Sequence, residues 1–269
     1  ARLGVMKKCV VIDLDNTIWG GIVGDDGWEN LEIGLLGRGK VFSDIQTWLR
    51  ELKNRGILLA VCSKNEEATA KEVFLKHPDM VLCLEDIALF VANWKPKNET
   101  ILEIANSLNI GVDSLVFLDD NPAERELVAS TLPDVAVPNL PNDPSLWLSF
   151  LQKENLFETI GSTIEDANRT EMYQTLQKRK TEQLVHASFD DYLGSLQMRV
   201  KILPFDSFTL PRVAQMLQRT NQFNLRIIRH LESDLRQMID SDHYKGFAFS
   251  LSDKFGDEGI VSVLLLKIE

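Results

Sequence analysis

Short hydrophobic runs alternate with stretches of helical periodicity along the first half of the chain. Three of these runs predict buried strands, namely Cys9 to Asp13, Ile57 to Cys62 and Leu115 to Leu118. Between the first two, apolar residues recur every three or four positions from Val41 to Leu52, and Gly56 ends that pattern. Strands separated by helices of this length predict an α/β fold with a parallel sheet covered by helices on both faces.

Further elements continue this alternation. The apolar runs Met80 to Leu84 and Val135 to Val137 are interpreted as two more strands, and Ile101 to Leu108 as a helix. Asn65 is expected to cap the N-terminus of one helix. Another helix is expected to begin at Pro122, because proline suits the first helical turn.

The second half of the chain has a different order of elements. A turn-rich segment from Leu140 to Pro144 marks a boundary, and a polar helical stretch runs from Ile164 to Leu184. The later elements are a strand at 199–203, helices at 211–219 and 231–239, and a hairpin with strands at 247–251 and 260–266. We therefore predict a catalytic domain at 1–145, a helical connector at 146–197 and a smaller α+β domain at 198–269.

Composition and charge narrow the class of protein. Hydrophobic residues make up 44% of the 269 positions, and the net charge is −11. Such a chain is expected to fold, and its acidity disfavours binding to nucleic acid or to an anionic membrane. No apolar run reaches the length of a membrane span. Three scattered cysteines exclude a disulfide framework and fit a reducing compartment, so we expect a cytoplasmic protein.

Two carboxylates follow the first predicted strand. Asp13 and Asp15 are separated by one residue, and Thr17 lies two positions further on as a candidate phosphate ligand. In open α/β sheets, ligands bind at the carboxyl ends of the strands. Neighbouring carboxylates repel unless a cation separates them, and oxygen ligands suit Mg²⁺. The alternative is a pair of solvated carboxylates that caps the next helix.

Three other elements occupy the ends of later strands. Ser63 follows one strand, Lys95 lies in NWKPK, and Asp119 and Asp120 follow the strand LVFL. The order carboxylate, hydroxyl, lysine, carboxylate resembles the four motifs of the haloacid dehalogenase (HAD) superfamily over residues 7–140. That resemblance implies a Rossmann-like parallel sheet and phosphoryl transfer.

The resemblance also implies a role for each residue. Asp13 would be the nucleophile, and Asp15 the general acid/base that also gives its carbonyl oxygen to Mg²⁺. Asp120 would complete the metal ligands. Ser63 and Lys95 would bind the phosphoryl oxygens. The segments between these motifs are too short for a large cap domain, which favours an open site for a large substrate or partner, unless the second domain covers it.

A narrower resemblance covers nearly the whole chain. The strings LLAVCSKNEE, FLDDNPAERE, QRTNQFNLRI and LSDKFGDEGIVSV resemble the FkbH-like domains of polyketide assembly lines. These domains imply a glyceryltransferase/phosphatase that takes D-1,3-bisphosphoglycerate. The glyceryl group would form a thioester on Cys62 and move to the phosphopantetheine thiol of an acyl carrier protein, and phosphate would be removed.

Cys62 has an alternative interpretation as a small buried hydrophobe. Its position before Ser63 at a strand end would favour a thiolate, because a cation and a helix N-terminus are expected nearby. Cys9 and Cys83 lie within predicted strands and are expected to pack in the core. The general base for a thiol stays open between Asp15 and His230.

The second domain contributes two candidate substrate residues. Asn221 lies in TNQFN and Asp257 in DKFGDEG, and the resemblance places both around a glycerate pocket; the alternatives are a helix end and a hairpin turn. The element order resembles the beginning of a GNAT acetyltransferase fold, truncated before its acetyl-CoA site, so no acetyltransferase activity is expected.

Two other functions remain open. The chain is alternatively a simple Mg²⁺-dependent phosphatase in which Cys62 is structural, or a non-catalytic module that docks a carrier protein. Carrier proteins are acidic, so docking would need a basic patch, for which Lys178 to Lys180 and Arg219, Arg226 and Arg229 are candidates, with a plain solvated surface as the alternative.

Overall fold

The computed structural model describes residues 7–157, 169–186, 188–219, 230–241 and 243–268. The chain forms two compact units, Ala1–Gln177 and Lys178–Glu269. The predicted domain boundaries near residues 145 and 197 stay predictions. Within the described ranges, no helix is both long enough and apolar enough to cross a membrane.

The first unit is built around a four-stranded parallel sheet. Its strands are β1 (Cys9–Ile12), β2 (Leu58–Ser63), β3 (Leu89–Ala92) and β4 (Leu115–Leu118), in the order β3-β2-β1-β4. Cys9 in the central strand pairs with Leu58 on one side and Leu115 on the other. The predicted parallel sheet is therefore confirmed, and the carboxyl ends of all four strands meet at one edge.

Helices follow the strands. They are α1 (Val23–Asp26), α2 (Gly37–Asn54), α3 (Glu67–Lys76), α4 (Lys97–Ser107), α5 (Pro122–Thr131), α6 (Trp147–Lys153) and α7 (Arg169–Val185), the last of which continues past the division between the units. The predicted end of the helix at Gly56 is confirmed, since α2 stops at Asn54. Gly56 has φ +88°, a conformation that glycine adopts without steric cost.

Side chains of the sheet alternate between two hydrophobic clusters, as the two-residue period of a strand requires. Val10 and Ile12 pack in the same cluster as residues of α2 and α3. Cys9, Val11 and Cys62 pack on the other side with residues of α4 and α5. This confirms that helices cover both faces.

Two predicted strands are wrong. Residues 80–84 form no strand, because the backbone N–H groups of Val81 and Leu82 donate to Gln46 Oε1 at 2.8 and 3.1 Å. Asp86 then accepts from the N–H of Cys83 at 3.0 Å and closes a 3₁₀ turn. The strand comes later, as β3. Val135 to Val137 contributes a single bridge to β4.

The second unit contains a three-stranded antiparallel sheet, and two helices contribute to the hydrophobic cluster of that sheet. Its elements are α8 (Phe189–Ser195), β5 (Arg199–Pro204), α9 (Leu210–Arg219), α10 (Glu232–Ile239), β6 (Tyr244–Asp253) and β7 (Gly256–Lys267). The sheet order is β5-β6-β7, and Val213, Leu235 and Ala248 are buried in its cluster. The predicted order of strand, two helices and hairpin is confirmed.

Candidate active site

Three carboxylates converge at the carboxyl edge of the parallel sheet. Asp13 follows β1, and Asp119 and Asp120 follow β4, which is the neighbour of β1. One oxygen atom from each lies within 4.8 Å of the others. This acidic triad lines a cavity of about 690 Å³ in the first unit. The structure thus brings Asp13 and Asp120 together, as the strand-end argument predicted.

Lys97, the first residue of α4, is the cation of this cluster. Its Nζ lies 2.7 Å from Asp13 Oδ1 and 2.5 Å from Asp119 Oδ2, and none of the three side chains is more than 8% exposed. Burial alone disfavours the charged amine, but Asp13 and Asp119 overcome that effect and raise the pKa of Lys97. The side chain therefore remains an ammonium.

The acidic triad carries more negative charge than Lys97 balances. Burial raises the pKa of Asp13 to about 6; Lys97 opposes that rise and Asp119 adds to it. Burial likewise raises the pKa values of Asp119 and Asp120. Three converging carboxylates are hard oxygen ligands, and a divalent cation would remove their mutual repulsion. The donor set fits Mg²⁺.

Thr17 and Arg125 hold the acidic triad in place. The Thr17 hydroxyl accepts from the N–H of Asp120 at 3.0 Å and lies 3.5 Å from Asp13 Oδ2 and from Asp120 Oδ1. Arg125 donates to the carbonyl oxygens of Asp119 and Asp120, both at 2.7 Å. Thr17 is buried and is absent from the described residues that line the cavity, so its contacts give it a positioning role, and its role as a phosphate ligand stays a prediction.

Asp15 lines the cavity with a carboxylate that accepts three hydrogen bonds. Its Oδ1 accepts from Trp19 Nε1 at 2.8 Å and from the N–H of Val23 at 3.0 Å, and its Oδ2 accepts from Asn65 Nδ2 at 2.8 Å. The side chain is not part of the acidic triad. Its implied metal contact runs through the backbone carbonyl and stays a prediction.

Ser63 ends β2 beside the acidic triad. It lines the cavity, as Asp13 does, and accepts from Asn65 Nδ2 at 3.1 Å. The prediction that Asn65 caps a helix is wrong, because the N-cap of α3 is Glu66. Asn65 instead links Ser63 to Asp15, a role that the sequence analysis missed.

Lys95 is not at the site, and Lys97 takes the position expected for it. The Lys95 ammonium pairs with Glu103 at 2.6 Å, and its side chain is 53% exposed. Pro96 separates the two lysines and is the N-cap of α4. Lys97 is therefore the residue that the helix start directs toward the ends of β1 and β4. The proline in WKPK, which starts the helix, was the sequence feature that could have identified Lys97.

The Cys62 thiol lies in the hydrophobic cluster, not in the cavity. The side chain is 1% exposed, and its Sγ is 3.9 Å from the carbonyl oxygen of Lys97. Burial raises the pKa of Cys62 to about 12 despite the proximity of Lys97. These surroundings oppose the expected low pKa and favour the structural alternative, while the role of Cys62 as a nucleophile stays a prediction.

The remaining predicted site residues either do not line the cavity or lie outside the residues that the structure describes. Asn221 is outside the described residues, as are Arg226 and Arg229. Asp257 is exposed in β7 and accepts from the N–H of Gly259 at 2.8 Å, a local contact within the hairpin. None of the four histidines is among the described residues that line the cavity. Cys83 is exposed, contrary to its predicted core position.

Comparison with known proteins finds a similar solved structure. No protein-family model matches the chain, and no curated protein does. A solved structure of the N-terminal part of a Bacteroides fragilis protein, described as containing a phosphatase domain complexed with Mg, is 59% identical in sequence with a TM-score of 0.57. The similarity covers 57% of this chain and 41% of that chain, so this chain spans less than half the length of that structure.

Proposed function

We propose that the chain is a Mg²⁺-dependent phosphatase of the HAD type that acts on phosphate monoesters. The observation that carries this proposal is the acidic triad that lines the cavity, with Lys97 paired to two of its members, Asp13 and Asp119. The similarity to a phosphatase domain complexed with Mg supports both the reaction and the metal.

The proposed reaction has two steps. In the first, a carboxylate oxygen of Asp13 attacks phosphorus, the bond from phosphorus to the leaving oxygen breaks, and Asp15, which enters this step as the protonated acid and leaves it as the carboxylate, gives that oxygen its proton. In the second, water attacks the phosphorus of the aspartyl phosphate, Asp15 takes the water's proton, and the bond to Asp13 breaks to release phosphate. Mg²⁺ held by Asp13, Asp119 and Asp120 would neutralise phosphoryl charge.

The hydrogen bonds around the cavity suit these roles. Three donors fix the Asp15 carboxylate, so its orientation is set before substrate binds. Ser63 and Lys97 would donate to the phosphoryl oxygens, and Lys97 would stabilise the charge that develops in the transition state. Each of these positions follows from a strand end or from a helix start.

Glyceryl transfer is a finer hypothesis that rests on the FkbH-like resemblance. It requires a Cys62 thiolate that reaches the acyl carbon of D-1,3-bisphosphoglycerate, and the buried thiol with a pKa of about 12 does not favour it. A carrier protein as acceptor is an expectation of the same resemblance. For the second unit, the order of its elements supports a relation to the beginning of a GNAT fold.

The test is hydrolysis of p-nitrophenyl phosphate and small phosphate monoesters with and without Mg²⁺. Asp13→Asn should abolish turnover, while Asp44→Asn, on an exposed pair with Lys40, should leave it unchanged. Full activity of Asp13→Asn, or activity insensitive to EDTA, would refute the proposal. A glyceryl adduct on Cys62 after incubation with labelled D-1,3-bisphosphoglycerate, lost in Cys62→Ser, would instead support transfer.

A further inference from the structure

A second lysine lies at the cavity beside the acidic triad. Lys64 follows Ser63 at the end of β2, and its Nζ is 2.5 Å from Glu124 Oε1 in the first turn of α5. Both residues line the cavity. Because β1 lies between β2 and β4 in the sheet, this ion pair joins the segments that follow the two strands flanking Asp13.

The charged residues that line the cavity distinguish Lys64 from Lys97. Among the described residues that line it, seven are acidic and two are cationic, Lys64 and Lys97. Lys97 is already shared between Asp13 and Asp119. A phosphate dianion that enters this acidic cavity therefore finds in Lys64 the cation that the acidic triad does not already hold.

The ion pair between Lys64 and Glu124 is incompletely satisfied. Glu124 Oε2 is buried and has no hydrogen-bond partner, whereas the Lys64 side chain is 38% exposed. An ammonium has three N–H donors, and a phosphate group offers more acceptor oxygens than this one carboxylate contact. Glu124 thus competes for a donor that phosphate can also use.

We propose that Lys64 binds the phosphate of a substrate. Before substrate binds, the Lys64 ammonium is paired with the Glu124 carboxylate, and the phosphate replaces that carboxylate. This inference rests on the proposed phosphatase function and adds a residue to it. It predicts effects of opposite sign: loss of Lys64 weakens phosphate binding, and neutralisation of Glu124 strengthens it. If the ion pair were purely structural, the two substitutions would not change phosphate affinity in opposite directions.

The test is calorimetric titration of the full chain with inorganic phosphate in the presence of Mg²⁺, which requires no turnover. Lys64→Met should raise the Kd about tenfold, the loss of one charged hydrogen bond. Lys64→Arg should restore most of the affinity, and Glu124→Gln should lower the Kd severalfold. Lys71→Met, which breaks an exposed pair with Glu67 on α3, is the matched control and should change the Kd less than twofold.

Each outcome is decisive. Opposite shifts in Lys64→Met and Glu124→Gln support the proposal, and a misfolded variant cannot imitate the tighter binding of the second. Equal shifts of both variants in one direction, changes below twofold, or no phosphate binding by the unmodified protein overturn it. Phosphate binding with the expected pattern but without hydrolysis of any phosphate monoester would overturn the proposed function and leave Lys64 a phosphate ligand.

Discussion

Replacement of Lys97 by methionine should destabilise the first unit strongly when no divalent cation is present. The substitution removes the ammonium that lies between Asp13 and Asp119, whose side chains are 8% and 0% exposed. Methionine keeps most of the length of the lysine stem, whereas the contact of Nζ with the Phe117 ring, 5.8 Å from the ring centroid, is lost together with the charge. The change therefore isolates the loss of charge from a loss of packing.

The expected magnitude follows from the burial of both partners. Removal of one member of a buried ion pair costs about 3–5 kcal/mol, because the other charge is left without compensation. Two carboxylates are stranded here, which favours the upper part of that range at pH 8. The cost should shrink at pH 5, because burial already raises the pKa of Asp13 to about 6 and the loss of Lys97 would raise it further.

Urea unfolding followed by tryptophan fluorescence is the suitable assay. All five tryptophans lie before residue 148 and so report on the first unit alone. Lys95→Met is the matched control, since Lys95 forms an exposed pair with Glu103, and its urea midpoint should equal that of the unmodified protein. A loss below about 1 kcal/mol in Lys97→Met, or equal effects of the two variants, would refute the reasoning.

Three further predictions concern pH, thiol reactivity and metal affinity. Because the pKa of Asp13 is raised to about 6 in the folded state, its contribution to stability is present below about pH 4 and disappears as the pH rises through 6. Without divalent cation, the urea midpoint of the unmodified protein should therefore fall relative to that of Asp13→Asn over this window, and a relative rise would contradict the assignment; Mg²⁺ should reverse the trend. A disulfide reagent at pH 8 should modify Cys83 first and reach Cys62 only on unfolding, because Cys83 is exposed and Cys62 is 1% exposed, while the pKa values of both thiols are raised, to about 11 and about 12. Mass spectrometry of the labelled peptides decides, and early labelling of Cys62 would contradict its burial. Thr17→Val should lower Mg²⁺ affinity about tenfold by calorimetry, because it releases the hydroxyl contacts to the acidic triad; unchanged affinity would remove its positioning role.

The fold of the first unit was largely predictable from hydrophobic pattern. Leu115 to Leu118 is both the predicted strand and β4, and the helix predicted at Pro122 begins there. The run from Met80 to Leu84 was wrongly predicted to be a strand, because a short apolar run does not distinguish a strand from a packed loop. There the side chain of Gln46, which is distant in the sequence, accepts hydrogen bonds from the backbone N–H groups that would otherwise pair with a neighbouring strand.

The candidate site was predictable where topology alone places a residue. Asp13 and Asp120 come just after strands of one parallel sheet and Ser63 is the last residue of another, so they had to meet at its carboxyl edge. The choice between Lys95 and Lys97 depended on how Pro96 starts α4, which is a matter of side-chain direction that spacing does not give. Asn65 was missed because its partners, Ser63 and Asp15, come together only in the folded sheet.

The regular register of β2 limits what chemistry this strand can offer. Cys62 pairs with Val91 and Ser63 with Ala92, with no bulge between them, so the two side chains point to opposite sides of the sheet. Ser63 faces the cavity, and Cys62 therefore enters the hydrophobic cluster beneath α4 and α5. A thiol at the cavity would require a shift of one residue, which would withdraw Ser63 from Asp13. The strand end can present the hydroxyl or the thiol to the acidic triad, and this fold presents the hydroxyl.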